Sequence, residues 1–160
     1  MKRITKVDLR RLAVIARNDR EDLFRRKPEL GELYRNRFLC VALCQGAALH
    51  YLDGKNGIKD FDVWTFFREH PQRPFPYRRN VPKDFGRAKF GKTPGMPHFR
   101  GRCVDLIGRS IPHKREQTPV EALRQYLETS KNRSPRLLGQ KAVILLEPED
   151  LIGFVVWPVH

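Results

Sequence analysis

The sequence is poor in acidic residues, and this shortage narrows the class of protein. Over 160 residues, 18 Asp and Glu residues stand against 32 Lys and Arg residues, which gives a formal net charge of +14. An excess of this size indicates a polyanionic partner, such as RNA or DNA, nucleotide phosphates or an anionic membrane surface. The alternative is a basic protein that uses arginine freely and binds no polyanion.

Cysteine is scarce, and long apolar runs are missing. Cys40, Cys44 and Cys103 are odd in number, include no C-x-x-C pair and lie in apolar segments, and no histidine is spaced to complete a zinc site with them. We therefore expect buried, reduced thiols, which are typical of a reducing compartment. No run approaches the length of a membrane span, and the basic start leads into no signal-peptide core, so we expect a cytoplasmic protein without a membrane partner.

Hydrophobic residues make up 40% of the chain, and the mean hydropathy is −0.57, yet the apolar residues cluster in periodic segments. This pattern predicts one packed domain over residues 1–160. Residues 1–37 read as a leading helical segment: Thr5–Arg17 has apolar residues at helical spacing, and Asn18–Arg37 continues in the same style. We expect a break at Lys27, because a residue before proline is pushed out of the α region.

The centre of the chain predicts a strand, a short helix and a second strand. Phe38–Cys44 is an apolar run, Ala47–Leu52 suits a helix, and Ile58–Phe67 is rich in aromatic and β-branched residues. Asp60 and Asp62 interrupt the second strand, and side chains two apart on a strand share a face. Facing carboxylates repel, so the pair favours a divalent cation such as Mg²⁺, although Asp-x-Asp pairs also cap loops and pair with arginines.

This arrangement resembles the nucleotidyltransferase superfamily, the polymerase-β-like group. In that family an apolar residue, a Gly and a Gly or Ser precede Asp-x-Asp or Asp-x-Glu in a strand, with a third carboxylate on a later strand. Here Gly46-Ala47 is followed by twelve residues and then Asp60-Phe61-Asp62, and Asp105 within Arg102–Ile107 matches the third position. The resemblance covers residues 38–107.

Two positions depart from the family pattern. Gln45 stands where an apolar residue is usual, and Ala47 replaces the Gly or Ser whose hydroxyl, when Ser is present, helps to bind phosphate. The backbone N–H of Ala47 remains, and one hydrogen bond is worth about 1 kcal/mol, so we expect weaker nucleotide binding without its loss.

The resemblance implies an α+β fold, with a nucleotidyltransferase-like mixed β-sheet flanked by helices. It also implies transfer of a nucleotide from a nucleoside triphosphate to a nucleic-acid or protein hydroxyl, with Mg²⁺ or Mn²⁺ as cofactor. Asp60, Asp62 and Asp105 would be the catalytic metal ligands, and Gly46 and Ala47 would bind the nucleotide. The alternatives are a non-catalytic nucleic-acid-binding domain and a toxin–antitoxin component that keeps the fold.

A basic, proline-rich loop follows over residues 68–102. It holds six of the twelve prolines and ten Lys or Arg residues against two acids, with aromatic residues interspersed. We expect this loop to border the acidic site and to bind a polyanion, with Tyr77 or Phe90 facing a base. In the alternative, it is a stiff surface loop whose aromatic side chains only anchor it. The residues expected to reach phosphates are Arg78, Arg79, Arg87, Lys89 and Lys92.

Residues 118–160 predict two helices and a last strand. Thr118–Glu121 is a capping box with proline at the first helical position, and its helix should run to about Lys131. Ser134-Pro135 begins a second helix, and Val143–Leu146 either ends that helix or begins a strand. Leu151–Trp157 is apolar and β-rich, which predicts a last strand or edge.

Overall fold

A mixed β-sheet with helices on both faces forms the frame of the protein in a computed structural model, which describes residues 2–55, 57–75, 78–129 and 132–159. Seven strands of this described part form one sheet in the order β3-β5-β2-β1-β6-β7, with β4 also paired to β5. The strands are β1 (Phe38–Cys44), β2 (Phe61–Arg68), β3 (Arg78–Arg79), β4 (Lys83–Asp84), β5 (Cys103–Ile111), β6 (Ala142–Glu147) and β7 (Val155–Trp157).

Five α-helices of the described residues surround this sheet. Among them, none combines the length and the apolar character that crossing a membrane requires. The expected α+β class, with a mixed sheet and helices, is confirmed. The helices are α1 (Lys6–Arg26), α2 (Pro28–Tyr34), α3 (Gln45–Asp53), α4 (Pro119–Thr129) and α5 (Arg133–Leu138), with 3₁₀ turns at Arg35–Arg37 and Glu149–Leu151.

The leading helical segment follows the sequence closely. Helix α1 begins after Thr5, whose backbone N–H donates to Asp8 Oδ2 at 2.8 Å. It is longer than the predicted first helix and ends at Lys27, because Pro28 begins α2. The predicted apolar face is confirmed, since the buried residues of α1 include Leu9 and Leu12.

The sheet separates two hydrophobic cores. On one face, Leu43 and Val63 pack with α1 and α3. On the other face, Ala42 and Trp64 pack with α4 and α5. Side chains alternate between the faces along a strand, so a strand buried on both sides reads as a continuous apolar run. This is why β1 matches its predicted bounds, Phe38–Cys44, residue for residue.

The two strands that carry the predicted carboxylates differ from their expected bounds. Strand β2 begins at Phe61, so Asp60 immediately precedes the strand instead of lying within it. Strand β5 runs beyond the Arg102–Ile107 segment as far as Ile111, and it pairs with β2 from Val104 to Ile111. Gly108 fits there because an added Cβ would stand 3.0 Å from the Phe75 ring, so glycine makes room for that side chain.

The ambiguous C-terminal segment is a strand. Helix α5 ends at Leu138, and β6 then pairs antiparallel with β1 and is buried throughout. The last strand is shorter than the predicted Leu151–Trp157, because a 3₁₀ turn at Glu149–Leu151 delays its start to Val155.

The basic loop is anchored by its aromatic side chains. The ring centroids of Phe85 and Phe90 lie 4.9 and 5.6 Å from that of Phe61, in the core on the α1 side. Phe90 is only 8% exposed, so the expectation that it offers a face to a base is wrong. Tyr77 lies outside the described residues. The loop also contributes β3 and β4 to the edge of β5, which makes it less irregular than expected.

Asp84 closes this loop on itself. Its Oδ1 accepts the backbone N–H groups of Gly86 and Gly101 at 2.8 and 2.9 Å, and its Oδ2 accepts that of Arg100 at 2.6 Å. Burial by itself would raise the pKa of Asp84, but the three N–H donors outweigh it and hold the pKa below its usual value. The ionised carboxylate therefore stabilises the folded loop.

We expect Asp84→Asn to lower the free energy of unfolding at neutral pH by about 1–3 kcal/mol, because an amide replaces an acceptor of three N–H groups. A pKa lowered by folding gives stability that is present above the ordinary value for Asp, about 3.9, and is lost as the pH falls through the folded value. The difference between wild type and variant, measured by urea unfolding, should therefore be constant near neutrality and shrink below about pH 4. Asp150→Asn, an exposed carboxylate outside the loop, is the control, and a pH-independent difference would contradict this account.

Candidate functional site

Three carboxylates meet at one end of the β2–β5 pair. Asp62 and Asp105 lie directly opposite each other in the parallel register, and Asp60 comes two residues before Asp62. One carboxylate oxygen from each of the three lies within 4.8 Å of the others. Asp105 is buried, at 8% exposure, while Asp60 and Asp62 are half-buried. The structure thus brings together the three acids that the sequence selected, and their role as ligands stays a prediction.

Thiols border the acids on the same face of the sheet. Cys44 lies opposite Asp62 in the β1–β2 pair, and Cys103 Sγ stands 4.0 Å from Asp105 Oδ1. Burial raises the pKa of the Cys44 thiol well above its usual value, and the charge of Asp62 adds to this. Cys44 is therefore a neutral thiol at neutral pH. Three carboxylates form a hard, all-oxygen donor set, which fits Mg²⁺ or Mn²⁺.

The turn between β1 and α3 aims the start of a helix at these carboxylates. Gln45 has a φ of 62°, in the left-handed region that favours glycine, which costs about 1–3 kcal/mol. The first backbone N–H groups of a helix have no acceptor within the helix, so they form a natural site for an anion. Gln45, which departs from the family pattern, is therefore also a strained residue at the start of α3.

Gly46 and Ala47 lie at this helix start and differ in what surrounds them. A Cβ added at Gly46 would meet nothing within 4 Å, so the glycine leaves open space in front of the helix. Ala47 is 2% exposed and belongs to the core on the α1 side, so a hydroxyl group added there would be buried. The weaker nucleotide binding expected from Ala47 stays a prediction.

A groove of about 410 Å³ joins the helix start to the carboxylates. Its positive charges are Lys59, next to Asp60, and Lys141, which precedes β6; both side chains are exposed. Sequence reasoning did not select either lysine. Lys59 could have been selected from the sequence, because it is next to Asp60. Lys141 could not, because the pairing of β1 with β6 brings it to the groove. The groove is lined by Gln45, Gly46, Ala47, Gly57, Lys59, Asp60, Asp62, Trp64, Ile107, Leu137 and Lys141.

The predicted polyanion-binding residues of the loop lie elsewhere. Lys89 Nζ stands 3.1 Å from Asp8 Oδ2 on α1, and the Arg87 carbonyl accepts a hydrogen bond from Arg11, so both lie on the α1 side of the sheet. Of the described side chains, neither these two nor exposed Lys92 lines the groove. Their binding of phosphates stays a prediction, but for a surface on the other side of the sheet.

Of the described side chains in the loop, those of Thr93 and Arg102 at its base contact the backbone beside the acidic site, and the polyanion-binding role of the loop stays a prediction. The Thr93 hydroxyl and Arg102 Nη1 donate to the Lys59 carbonyl at 2.9 and 3.4 Å. Arg78 and Arg79 form β3 against Gly108 and Ile107 of β5, and their side chains lie outside the described part. The loop therefore holds the backbone beside Asp60 in place.

Comparison with known proteins found no matching protein-family model, no matching curated protein and no matching solved structure. The resemblance to nucleotidyltransferases therefore depends on the motif residues and on their geometry.

We expect Mn²⁺ to raise the melting temperature of the wild type, because a cation that binds only the folded chain stabilises it. At a hundredfold excess over the dissociation constant, the shift should be about 5–10 °C. Asp62→Asn should abolish most of this shift, since it removes one charged ligand from the cluster. Thermal unfolding with Mn²⁺ and with EDTA measures it, and Asp150→Asn is the charge-matched control. An equal Mn²⁺ shift in Asp62→Asn would show that the ion binds elsewhere.

Proposed function

We propose that this protein is a metal-dependent nucleotidyltransferase, which transfers a nucleotide from a nucleoside triphosphate to a hydroxyl group of a nucleic acid or a protein. The observation that carries the proposal is the groove that Asp60 and Asp62 line together with the start of α3, with an oxygen of Asp105 within 4.8 Å of an oxygen of each of these acids. Carboxylates for a metal and N–H groups for a phosphate are the two parts that this reaction needs.

The triphosphate lies along the groove in this proposal. The N–H groups at the start of α3 and the ammonium groups of Lys59 and Lys141 bind its oxygens. Divalent cations held by the three carboxylates would neutralise the charge that builds up on the attacking and leaving oxygens of an in-line displacement. Open space at Gly46 lets the phosphates approach the helix backbone.

The acceptor hydroxyl approaches from the side of Asp105. Its oxygen forms a bond to the α-phosphorus while the bond to pyrophosphate breaks, and its proton passes to the Asp105 carboxylate. Asp105 suits this role because β5 fixes its backbone opposite Asp62 and because only 8% of the residue is exposed. A buried base competes less with water for the proton.

A second candidate function is a non-catalytic nucleic-acid-binding domain, or a toxin–antitoxin component of the same fold. The net charge of +14 and the departures at Gln45 and Ala47 favour it. The three acids favour the enzyme, because a pure binder of polyanions gains nothing from a cluster of negative charge.

The test of the enzyme is nucleotide transfer with Mg²⁺ or Mn²⁺. Wild type should label an RNA or protein acceptor from at least one ribonucleoside triphosphate, and Asp60→Asn should reduce the rate by at least about 100-fold, since it removes a charged ligand from the metal site. Polynucleotide binding should survive in Asp60→Asn, and Asp150→Asn should keep full activity. The absence of labelling and of metal uptake in wild type would leave the binding domain as the function.

Gly46→Ala separates nucleotide binding from folding. The added methyl group meets nothing and improves helix propensity, so the free energy of unfolding should stay equal or rise by up to about 1 kcal/mol. The KM for the triphosphate should nevertheless rise about tenfold, the equivalent of one lost hydrogen bond, because the methyl group occupies the approach to the helix start. Steady-state kinetics and urea unfolding measure the two effects. An unchanged KM would show that the triphosphate does not approach α3.

A further inference from the structure

A second polar pocket lies on the same face of the sheet as the carboxylates. It has a volume of about 230 Å³ and is formed by β5 and α4. Tyr126 is 6% exposed, and among the described residues neither its buried hydroxyl nor the buried Nε of Arg109 has a hydrogen-bond partner. Both residues line the pocket, together with Ser110, Gln125 and Thr129.

Unsatisfied buried donors are rare, because each costs free energy that a ligand with oxygen acceptors would return. The Arg109 guanidinium lies 5.5 Å from the centre of the Tyr126 ring, so a cation and a hydroxyl donor stand side by side. Burial raises the pKa of Tyr126 against the opposing effect of Arg109, so its O–H remains a donor at neutral pH. Exposed Glu69 is the one acid of the lining. Arginine with a neighbouring hydroxyl donor, that of Tyr126, is a suitable set for a phosphate group.

The β2–β5 register places this pocket in line with the carboxylates. Asp105, Ile107 and Arg109 alternate onto one face of β5, opposite Asp62 and Trp64 of β2. Arg109 lies four residue steps along β5 from Asp105, which is about 13 Å, or about four stacked nucleotides of a single strand.

An intermediate groove of about 350 Å³ lies between the two sites. It is lined by Trp64, Arg133, Ser134 and Leu137, and it shares Trp64 and Leu137 with the groove of the carboxylates. Asn132, next to Arg133 in sequence, lines the Arg109 pocket. Helix α5 and its N-cap Asn132 therefore border all three grooves, on the side of the sheet that α4 and α5 cover.

We infer that the acceptor is a single-stranded polynucleotide that lies along these grooves, with one of its phosphates bound by Arg109 and Tyr126. This inference rests on the proposed function, since it names the acceptor of that reaction. A polynucleotide fits better than a protein because Lys59, Lys141, Arg133 and Arg109 line successive parts of the path, as the regular charges of a strand require.

Binding of fluorescent single-stranded 12-mers, one of RNA and one of DNA, tests the path without triphosphate and with EDTA present. Arg109→Gln should weaken binding about tenfold and reduce the salt slope by about 0.7, the value for one phosphate contact on a single strand. Arg10→Gln, an exposed arginine of α1, is the matched control and should change affinity less than about twofold. A preference for the RNA or the DNA probe identifies the sugar of the acceptor.

Tyr126→Phe is a second variant that tests the same binding site if Arg109→Gln folds poorly. It removes a buried hydroxyl without a partner, so the melting temperature should stay equal or rise. Binding of the strand should nevertheless weaken about three- to tenfold, because the phosphate loses one donor. A residue with a merely structural role would not weaken binding while it stabilises the fold.

The outcomes separate the path from the enzyme. Equal affinities in wild type, Arg109→Gln and Tyr126→Phe would overturn the path, and so would equal losses in Arg109→Gln and Arg10→Gln. Transfer of nucleotides to a protein hydroxyl, with no binding of either 12-mer, would also overturn it while the proposed function stands. Binding that depends on Arg109, in a protein that transfers no nucleotide, would support the path and overturn the enzyme.

Discussion

The parallel pairing of β2 with β5 is the constraint on which the candidate site depends. Its register sets Asp62 opposite Asp105 and keeps both on the face that α4 and α5 cover. A shift of one residue would turn Asp105 into the core on the α1 side, and a shift of two would separate the carboxylates by about 7 Å. Apolar neighbours on both sides of each acid hold this register, because any slip would expose or misplace them.

Local pattern was enough to predict the central elements. The run Phe38–Cys44 and the acids Asp60, Asp62 and Asp105 stand out because burial on both faces gives uninterrupted apolar strands, in which a carboxylate is conspicuous. The position of Asp60 just outside β2 was missed, since strand ends depend on pairing that composition does not encode.

Long-range contacts decided what the sequence left open. Lys89 looks like a free cation in sequence, but it pairs with Asp8, which is distant in the chain. Arg109 sits in a segment with the composition of a turn, and it lies in a strand because Phe75 packs against Gly108. The aromatic residues of the basic loop were ambiguous for the same reason, since only the packed fold shows that Phe85 and Phe90 face the core. The net charge of +14 indicates only a class of partner, whereas the positions of the side chains are what support a particular function.

The chain between β2 and β5, residues 69–102, is the crossover that joins these two parallel strands. Its anchoring determines where insertions and deletions can be tolerated in this fold. Its ends are fixed by the two strands, and Asp84 and the buried rings hold its middle to the domain. The entropy of closing a flexible connection grows only with the logarithm of its length, by about 0.6 kcal/mol for each doubling. Exposed stretches of the crossover between these anchors can therefore lengthen or shorten at little thermodynamic cost. The pairing of β2 with β5 fixes Asp62 and Asp105 relative to each other. The number of residues in the crossover between them can therefore change without moving these two acids.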